Sequence, residues 1–316
     1  MAAACRRRNV LMKQTLFVAF ATLCIAAHAE PMYDVEVVKD IVYGTGPSRT
    51  ADGKTVPFAL KLDAYLPKNC PDTKKPVLLC VHGGGFRSGS KEVVAMVHFA
   101  ELFAQHGFAC FSINYRMMGE KPPAPREFSG GNDQKAAAHA AFVDAKAAVR
   151  WIRANKDKYG LDGGHIAAMG GSAGAITVLA LAFTDDNAFT TDLPGAKIAP
   201  ENNPDQSASI QACISCWGSA TMLKDAIGKN APPVLLFHGV DDKNVNTPAS
   251  GSEDVYKRLQ GLGVAAELRL LPGFGHGAWK ATVDGRSLQE VALDFVQREM
   301  LKKTPDAETK NAANPK

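Results

Sequence analysis

Ser172 stands in a run of very small residues, Met169-Gly170-Gly171-Ser172-Ala173-Gly174-Ala175. A serine hydroxyl is a weak nucleophile until a base takes its proton, so a serine that attacks a carbonyl needs a histidine, and the histidine needs an acid to orient it. Gly170 to Gly174 fits G-x-S-x-G, a pattern in which the serine occupies a sharp turn between a strand and a helix. Bulk is excluded there because neighbouring backbone passes close by. His165–Met169 reads as a strand entering the turn, and Ala173–Phe183 as a helix leaving it. The start of that helix favours negative charge at the serine oxygen.

The chain order Ser, acid, His narrows the choice of partners. Of eight histidines, only His238 and His276 follow Ser172. His238 ends the apolar run Pro233–Gly239 and precedes the nearest acids, whereas His276 lies in the glycine-rich "GFGHGAW" just after the strand-like "AELRLLPG". His276 is therefore the expected base. Asp241 and Asp242, in "HGVDDKNV", both stand between nucleophile and base, and either could orient the imidazole. Donors for an oxyanion are expected from "HGGGF", His82 to Phe86: the N–H groups of Gly84 and Gly85, joined by that of Ala173. Losing one such donor commonly costs roughly 3–4 kcal/mol of transition-state stabilisation. His82 is expected to pin the loop. The glycines carry no Walker lysine and no G-x-G-x-x-G, which argues against a phosphate loop. Phe86, Trp217 and Trp279 are expected to line a substrate pocket shaped by two long polar stretches, 117–134 and 184–206.

These residues need a scaffold that brings loops from distant segments to one edge. Short apolar runs at 76–82, 108–115, 165–170, 210–217, 233–239 and 266–273 read as strands buried on both faces. Between them lie helical patterns. One carries Phe142, Ala145, Val149 and Ile152 as a stripe, one Val255, Leu259 and Leu262, and the last Leu288, Val291 and Phe295. Alternating strand and helix predicts an α/β fold with a mostly parallel, doubly wound sheet and helices on both faces. The alternating stretch from Tyr33 to Pro67 predicts an antiparallel opening to that sheet.

The first 29 residues have the layout of a secretory signal: Arg6, Arg7, Arg8 and Lys13, then thirteen mostly apolar residues, then "AHA". The apolar run is short for a membrane span. "ATLC" lacks the small residue that usually precedes a lipidated cysteine. These four basic residues match the whole formal net charge of +4, so the remainder is balanced and its charge argues for neither nucleic acid nor a membrane surface. The expected organisation is a signal peptide over 1–29, a catalytic domain over 30–302 and a disordered tail over 303–316, in a secreted or periplasmic protein with no stable membrane anchor after cleavage. Five cysteines remain beyond the signal: Cys70, Cys80, Cys110, Cys213 and Cys216. "CISC" has redox spacing but sits in an apolar strand with no helix start behind it, which argues against a reactive thiolate. No clustered ligands complete a metal site.

Taken together, "HGGGF", "NYR" at Asn114–Arg116, Asp144–Asp162, "GGSAGA", "HGVDD" and "GFGHG" resemble, in that order, the α/β-hydrolase-fold serine esterases over about Tyr33 to Met300. Within these the chain is similar to bacterial secreted carboxylesterases of the feruloyl and acetylxylan esterase-like (BD-FAE-like) group, with "LKLDAYLPKN" resembling that group's opening. It also resembles the hormone-sensitive-lipase-like group, but lacks room for that group's large cap ahead of the glycine loop. The resemblance places the acid at the fifth residue of H-G-x-x-D, which is Asp242. It implies a triad of Ser172, Asp242 and His276, no metal or cofactor, and a small-molecule or carbohydrate ester as substrate. One departure, Ala175 for a usual glycine, is conservative. The other readings to weigh are an inactive binding protein on this fold, and an acyltransferase or lipase using the same triad.

Overall fold

The computed structural model describes residues 32–301, so the signal segment and the tail expected from the sequence lie outside the described residues. The elements run β1 (Val35–Arg49), β2 (Thr55–Pro67), β3 (Lys75–Val81), α1 (Val94–Gln105), β4 (Ala109–Ile113), α2 (Arg126–Ser129), α3 (Asp133–Ala154), α4 (Lys156–Tyr159), β5 (Leu161–Gly171), α5 (Ala173–Phe183), β6 (Ala212–Cys216), β7 (Val234–Gly239), α6 (Ala249–Gly261), β8 (Ala266–Leu271) and α7 (Leu288–Met300). A two-residue hairpin precedes α7.

The eight long strands form one sheet in the order β1-β2-β4-β3-β5-β6-β7-β8. β2 pairs antiparallel with both β1 and β4, and every pairing from β4 to β8 is parallel. The first two strands are therefore the antiparallel opening that their alternating sequence predicts.

Side chains leave a strand on alternate faces, and the core divides accordingly. On β3, Val77, Leu79 and Val81 face the core that also holds residues of α3, α5 and α6, while Leu78 and Cys80 face the one that holds residues of α1 and α7. α3 is buried nearly all round, and Phe142, Ala145, Val149 and Ile152 are wholly inaccessible. α6 departs from its expected stripe. Val255 and Leu259 are buried, but the helix ends at Gly261 and Leu262, its capping residue, is 40% exposed. The period of two also separates the "CISC" sulfurs: Cys213 faces the α3–α5 side and Cys216 the α1–α7 side. Burial pushes both thiols up, and all five cysteines among the described residues are free.

The topology fixes where a site can form. From β3 the chain goes through α1 to β4 on one side, then crosses back through α3 to β5 on the other. Neighbouring parallel strands whose connections diverge leave a crevice at their C-terminal ends. β3 ends there in the glycine loop and β5 ends there in Ser172.

Candidate active site

β5 passes into α5 through Ser172 alone. Its backbone has φ 55° and ψ −117°, outside the regions that L-residues favour, a conformation costing roughly 1–3 kcal/mol. Two bonds hold it: the Ser172 N–H donates to the Cys216 carbonyl at 2.9 Å, and the Ile176 N–H donates to the Ser172 carbonyl at 3.0 Å. The small neighbours are a steric necessity. A Cβ on Gly170 would lie 2.4 Å from the Gly174 backbone, and one on Gly174 would lie 2.0 Å from the Val81 carbonyl oxygen.

The loops after β7 and β8 bring two more side chains to the serine. Ser172 Oγ lies 2.8 Å from His276 Nε2, and His276 Nδ1 lies 2.8 Å from Asp242 Oδ2. A carboxylate only accepts, so Nδ1 carries the ring proton and Nε2 presents a lone pair to the serine hydroxyl. Asp242 is sealed from solvent while 30% of the His276 side chain is accessible. Asp241, the sequence alternative, is exposed at the turn. Burial acts to raise the Asp242 carboxyl. The hydrogen bond from His276, that from the Asn244 N–H at 2.8 Å, the His276 charge and a bond from His238 outweigh it and hold the acid below the ordinary carboxylate value. His238, passed over as the base, is fully buried with Nε2 3.0 Å from the same Asp242 oxygen.

The glycine loop flanks the serine. Gly84 and Gly85 adopt φ of +111° and +63°, which no side chain would permit cheaply. A Cβ on Gly83 would meet the Gly171 carbonyl at 2.7 Å. Among the described residues the N–H groups of Gly84, Gly85 and Ala173 donate to no backbone carbonyl, Ala173 being the first residue of α5. His82 stacks on Tyr115 at 4.3 Å, and its Nδ1 bonds the Gly83 carbonyl at 2.7 Å. Burial holds this imidazole down at about 4, so it is neutral and structural.

A cavity of about 430 Å³ opens over Ser172 between the glycine loop, Val93, Met96, Asn244 and the two tryptophans. Trp217 and Trp279 meet edge to face at 4.3 Å. Phe86 is not in this wall. With φ +60° it turns under the loop, 5% exposed, against Tyr115. The stretches 117–134 and 184–206 do not line it either. The first folds into short helical turns that meet the glycine loop through the Met118 N–H on the Phe86 carbonyl and Gln134 on the Gly85 carbonyl, and the second lines a separate cavity with β1. Asn244 was not among the expected residues, yet its Nδ2 lies 3.4 Å from His276 Nε2. Its one sequence signal is position, two residues past an aspartate, where an Asx turn forms. No group of three or more possible metal ligands occurs among the described residues.

A serine at a strand–helix elbow, a hydrogen-bonded histidine and acid on later loops, and this sheet order define an α/β-hydrolase. Comparison with known proteins refines that class. The sequence pattern of the BD-FAE family matches residues 62–226, more than half of the chain, and that of the prolyl oligopeptidase family matches 201–303. The chain belongs to the BD-FAE family. The first match spans the glycine loop and the elbow, the second Asp242 and His276. Among curated relatives, it is 27% identical over 253 residues to Esterase LipC of Mycobacterium tuberculosis, covering 68% of this chain and 56% of the relative. It is 31% identical over 166 residues to the probable carboxylic ester hydrolase LipM of the same organism, covering 51% of this chain and 32% of the relative. The chain thus spans about half or less of the length of these relatives. Among solved structures, a truncated carbohydrate esterase from gut microbiota superposes with a TM-score of 0.63 at 20% identity, over 87% of this chain and 99% of that one. The propionate-bound esterase 2 of Thermogutta terrifontis gives 0.59 at 21%, over 87% and 97%.

Proposed function

We propose that the protein is a serine carboxylic ester hydrolase working through an acyl-enzyme. The observation that carries this reading is the continuous chain from Ser172 Oγ through His276 to Asp242, at 2.8 Å per step. Ser172 attacks the ester carbonyl while His276 Nε2 takes its proton. Asp242 holds the ring in the required tautomer and stabilises the imidazolium. The N–H groups of Gly84, Gly85 and Ala173 receive the oxyanion. His276 then protonates the departing alcohol, and water, activated by the same imidazole, releases the acid. An inactive binding protein would have no need for the strained serine or for its hydrogen-bonded base.

The open, partly aromatic cavity suits short acyl esters or acetyl and feruloyl esters of carbohydrate. The relatives named as esterases, and the neighbour named as a carbohydrate esterase, support that class. The layout of residues 1–29 supports export, which N-terminal sequencing of the mature protein tests. The activity test is hydrolysis of p-nitrophenyl acetate, methyl ferulate and acetylated xylan by wild type and by Ser172→Ala. Turnover by wild type alone is expected. Equal inertness of both proteins across the panel would overturn the assignment.

A further inference from the structure

Asp242 serves two imidazoles. Its Oδ2 lies 2.8 Å from His276 Nδ1 and 3.0 Å from His238 Nε2, while Oδ1 accepts the Asn244 N–H at 2.8 Å. Building on the esterase reading, we infer that His238 is a positioning residue for the acid: its Nε2–H fixes the Asp242 carboxylate in place and limits its basicity, which in turn sets the proton affinity of His276.

The tautomer follows from the surroundings. Nε2 faces two acceptors, Asp242 Oδ2 and the Thr247 carbonyl at 3.2 Å, so it must carry the proton. Nδ1 is then bare and accepts from the Ser252 hydroxyl at 2.7 Å. Ser252 sits near the start of α6 and is itself buried, with its oxygen 3.4 Å from the Gly218 carbonyl. A neutral Nε2–H imidazole thus satisfies both ring nitrogens. Burial lowers the pKa of His238, and the Asp242 carboxylate opposes this without reversing it. The titratable groups facing the ring are Asp242 and, across that carboxylate, His276, while α6 presents the neutral Ser252.

A neutral donor in this place has a specific effect. It withdraws charge from the carboxylate oxygen that His276 uses, so the imidazolium gains less from Asp242 than it would from a singly bonded acid. Without the donor, Asp242 becomes more basic and free to turn, and His276 holds its proton to higher pH. A base that stays protonated near neutrality cannot accept the serine proton.

The experiment compares wild type with His238→Leu, His238→Gln and Ser252→Ala. The His276 ring is titrated by NMR, with its resonance assigned by loss in His276→Asn, and the pH profile of kcat/KM is recorded on p-nitrophenyl acetate. In His238→Leu the His276 midpoint and the acid limb should both move up by about 1 pH unit, a roughly tenfold change in the proton equilibrium. kcat should fall more than KM changes. Glutamine, whose amide N–H can reach the same oxygen, should restore most of the shift. Ser252→Ala releases the tautomer and should shift the midpoint the same way by less. If His238→Leu does not fold, judged by circular dichroism, Ser252→Ala and His238→Gln carry the test. A His276 midpoint unchanged in every folded variant, or glutamine behaving as leucine does, overturns the inference. The titration needs no turnover, so a wild type inert on esters would sink the esterase reading while leaving this one measurable.

Discussion

Asp144 and Asp242 are both sealed from solvent, and each uses both carboxylate oxygens. Their partners differ. Asp144, on α3, meets the buried Arg116 guanidinium at 2.6 Å and also accepts the Arg116 N–H at 2.8 Å. Arg116 reaches on to Asp192 at 3.0 Å and to the Pro47 carbonyl at 2.8 Å, tying α3 to the end of β1 and to the segment around Asp192. A guanidinium does not give up its proton in proteins, so Arg116 keeps its charge and its pair with Asp144 acts as a rivet, even though burial raises the neighbouring Asp192 to about 6. Asp242 meets imidazoles, one buried and one opening onto the cavity. Imidazole gains and loses a proton near neutrality, so the same kind of buried carboxylate becomes part of a device that can change state. Burial alone does not mark a catalytic acid; the titratability and exposure of its partner do.

Four predictions test this contrast, the largest effect first. Asp242→Asn should lower kcat by about 10⁴ through the wrong His276 tautomer, while the unfolding midpoint changes little; steady-state kinetics and a denaturant melt measure the two. Asp144→Ala should reverse the pattern. Loss of one partner from a buried ion pair costs roughly 3–5 kcal/mol of stability, and the molecules still folded should keep near-normal turnover per active site. If Asp144→Ala hurts chemistry at intact stability, the contrast fails.

The third prediction concerns acid. Burial holds His82 and His139 down at about 4, below their ordinary 6.5. The unfolded chain binds protons at these rings as pH drops below about 6.5, whereas the folded chain does so only near about 4. These two rings should therefore make stability decline across that window as pH falls, by at most roughly 1.4 kcal/mol per pH unit each, with Asp192, which burial raises to about 6, offsetting about one ring below that pH. Urea midpoints at stepped pH measure the decline, and His139→Phe, which suits the ring cluster of Phe128, Phe142 and Phe189, should flatten it. A slope untouched by that substitution would exclude His139 as a source. The smallest effect is expected at the cavity wall. Trp279→Ala should raise kcat/KM on butyrate and hexanoate esters relative to acetate by about tenfold, the scale of a few methylenes gaining room. An unchanged chain-length profile would remove Trp279 from the acyl pocket.

What the sequence made legible follows from what sequence order encodes. Strand ends and the glycines of a tight elbow are written locally, so the sheet and the convergence of Ser172, Asp242 and His276 at one edge could be anticipated. Side-chain direction on a loop is not written locally. Phe86 adjoins the glycine loop in sequence, yet a positive φ turns it beneath. The stretches 117–134 and 184–206 read as pocket-forming because they are polar and long, but they pack over α3 with Phe128, His139 and Phe189 instead. Asn244 and the link from His238 to Asp242 depend on one short loop curling back over β7, which residue order alone does not reveal.

The central claim is that Ser172 is the nucleophile, activated by its 2.8 Å contact with His276. Intact-mass spectrometry after treatment with a fluorophosphonate probe tests it without any assumption about the natural ester. The account predicts one phosphonyl adduct per wild-type chain, mapped to the peptide containing Ser172, with none on Ser172→Ala and slow labelling of His276→Ala. An adduct on another residue, or equal labelling of Ser172→Ala, would contradict it.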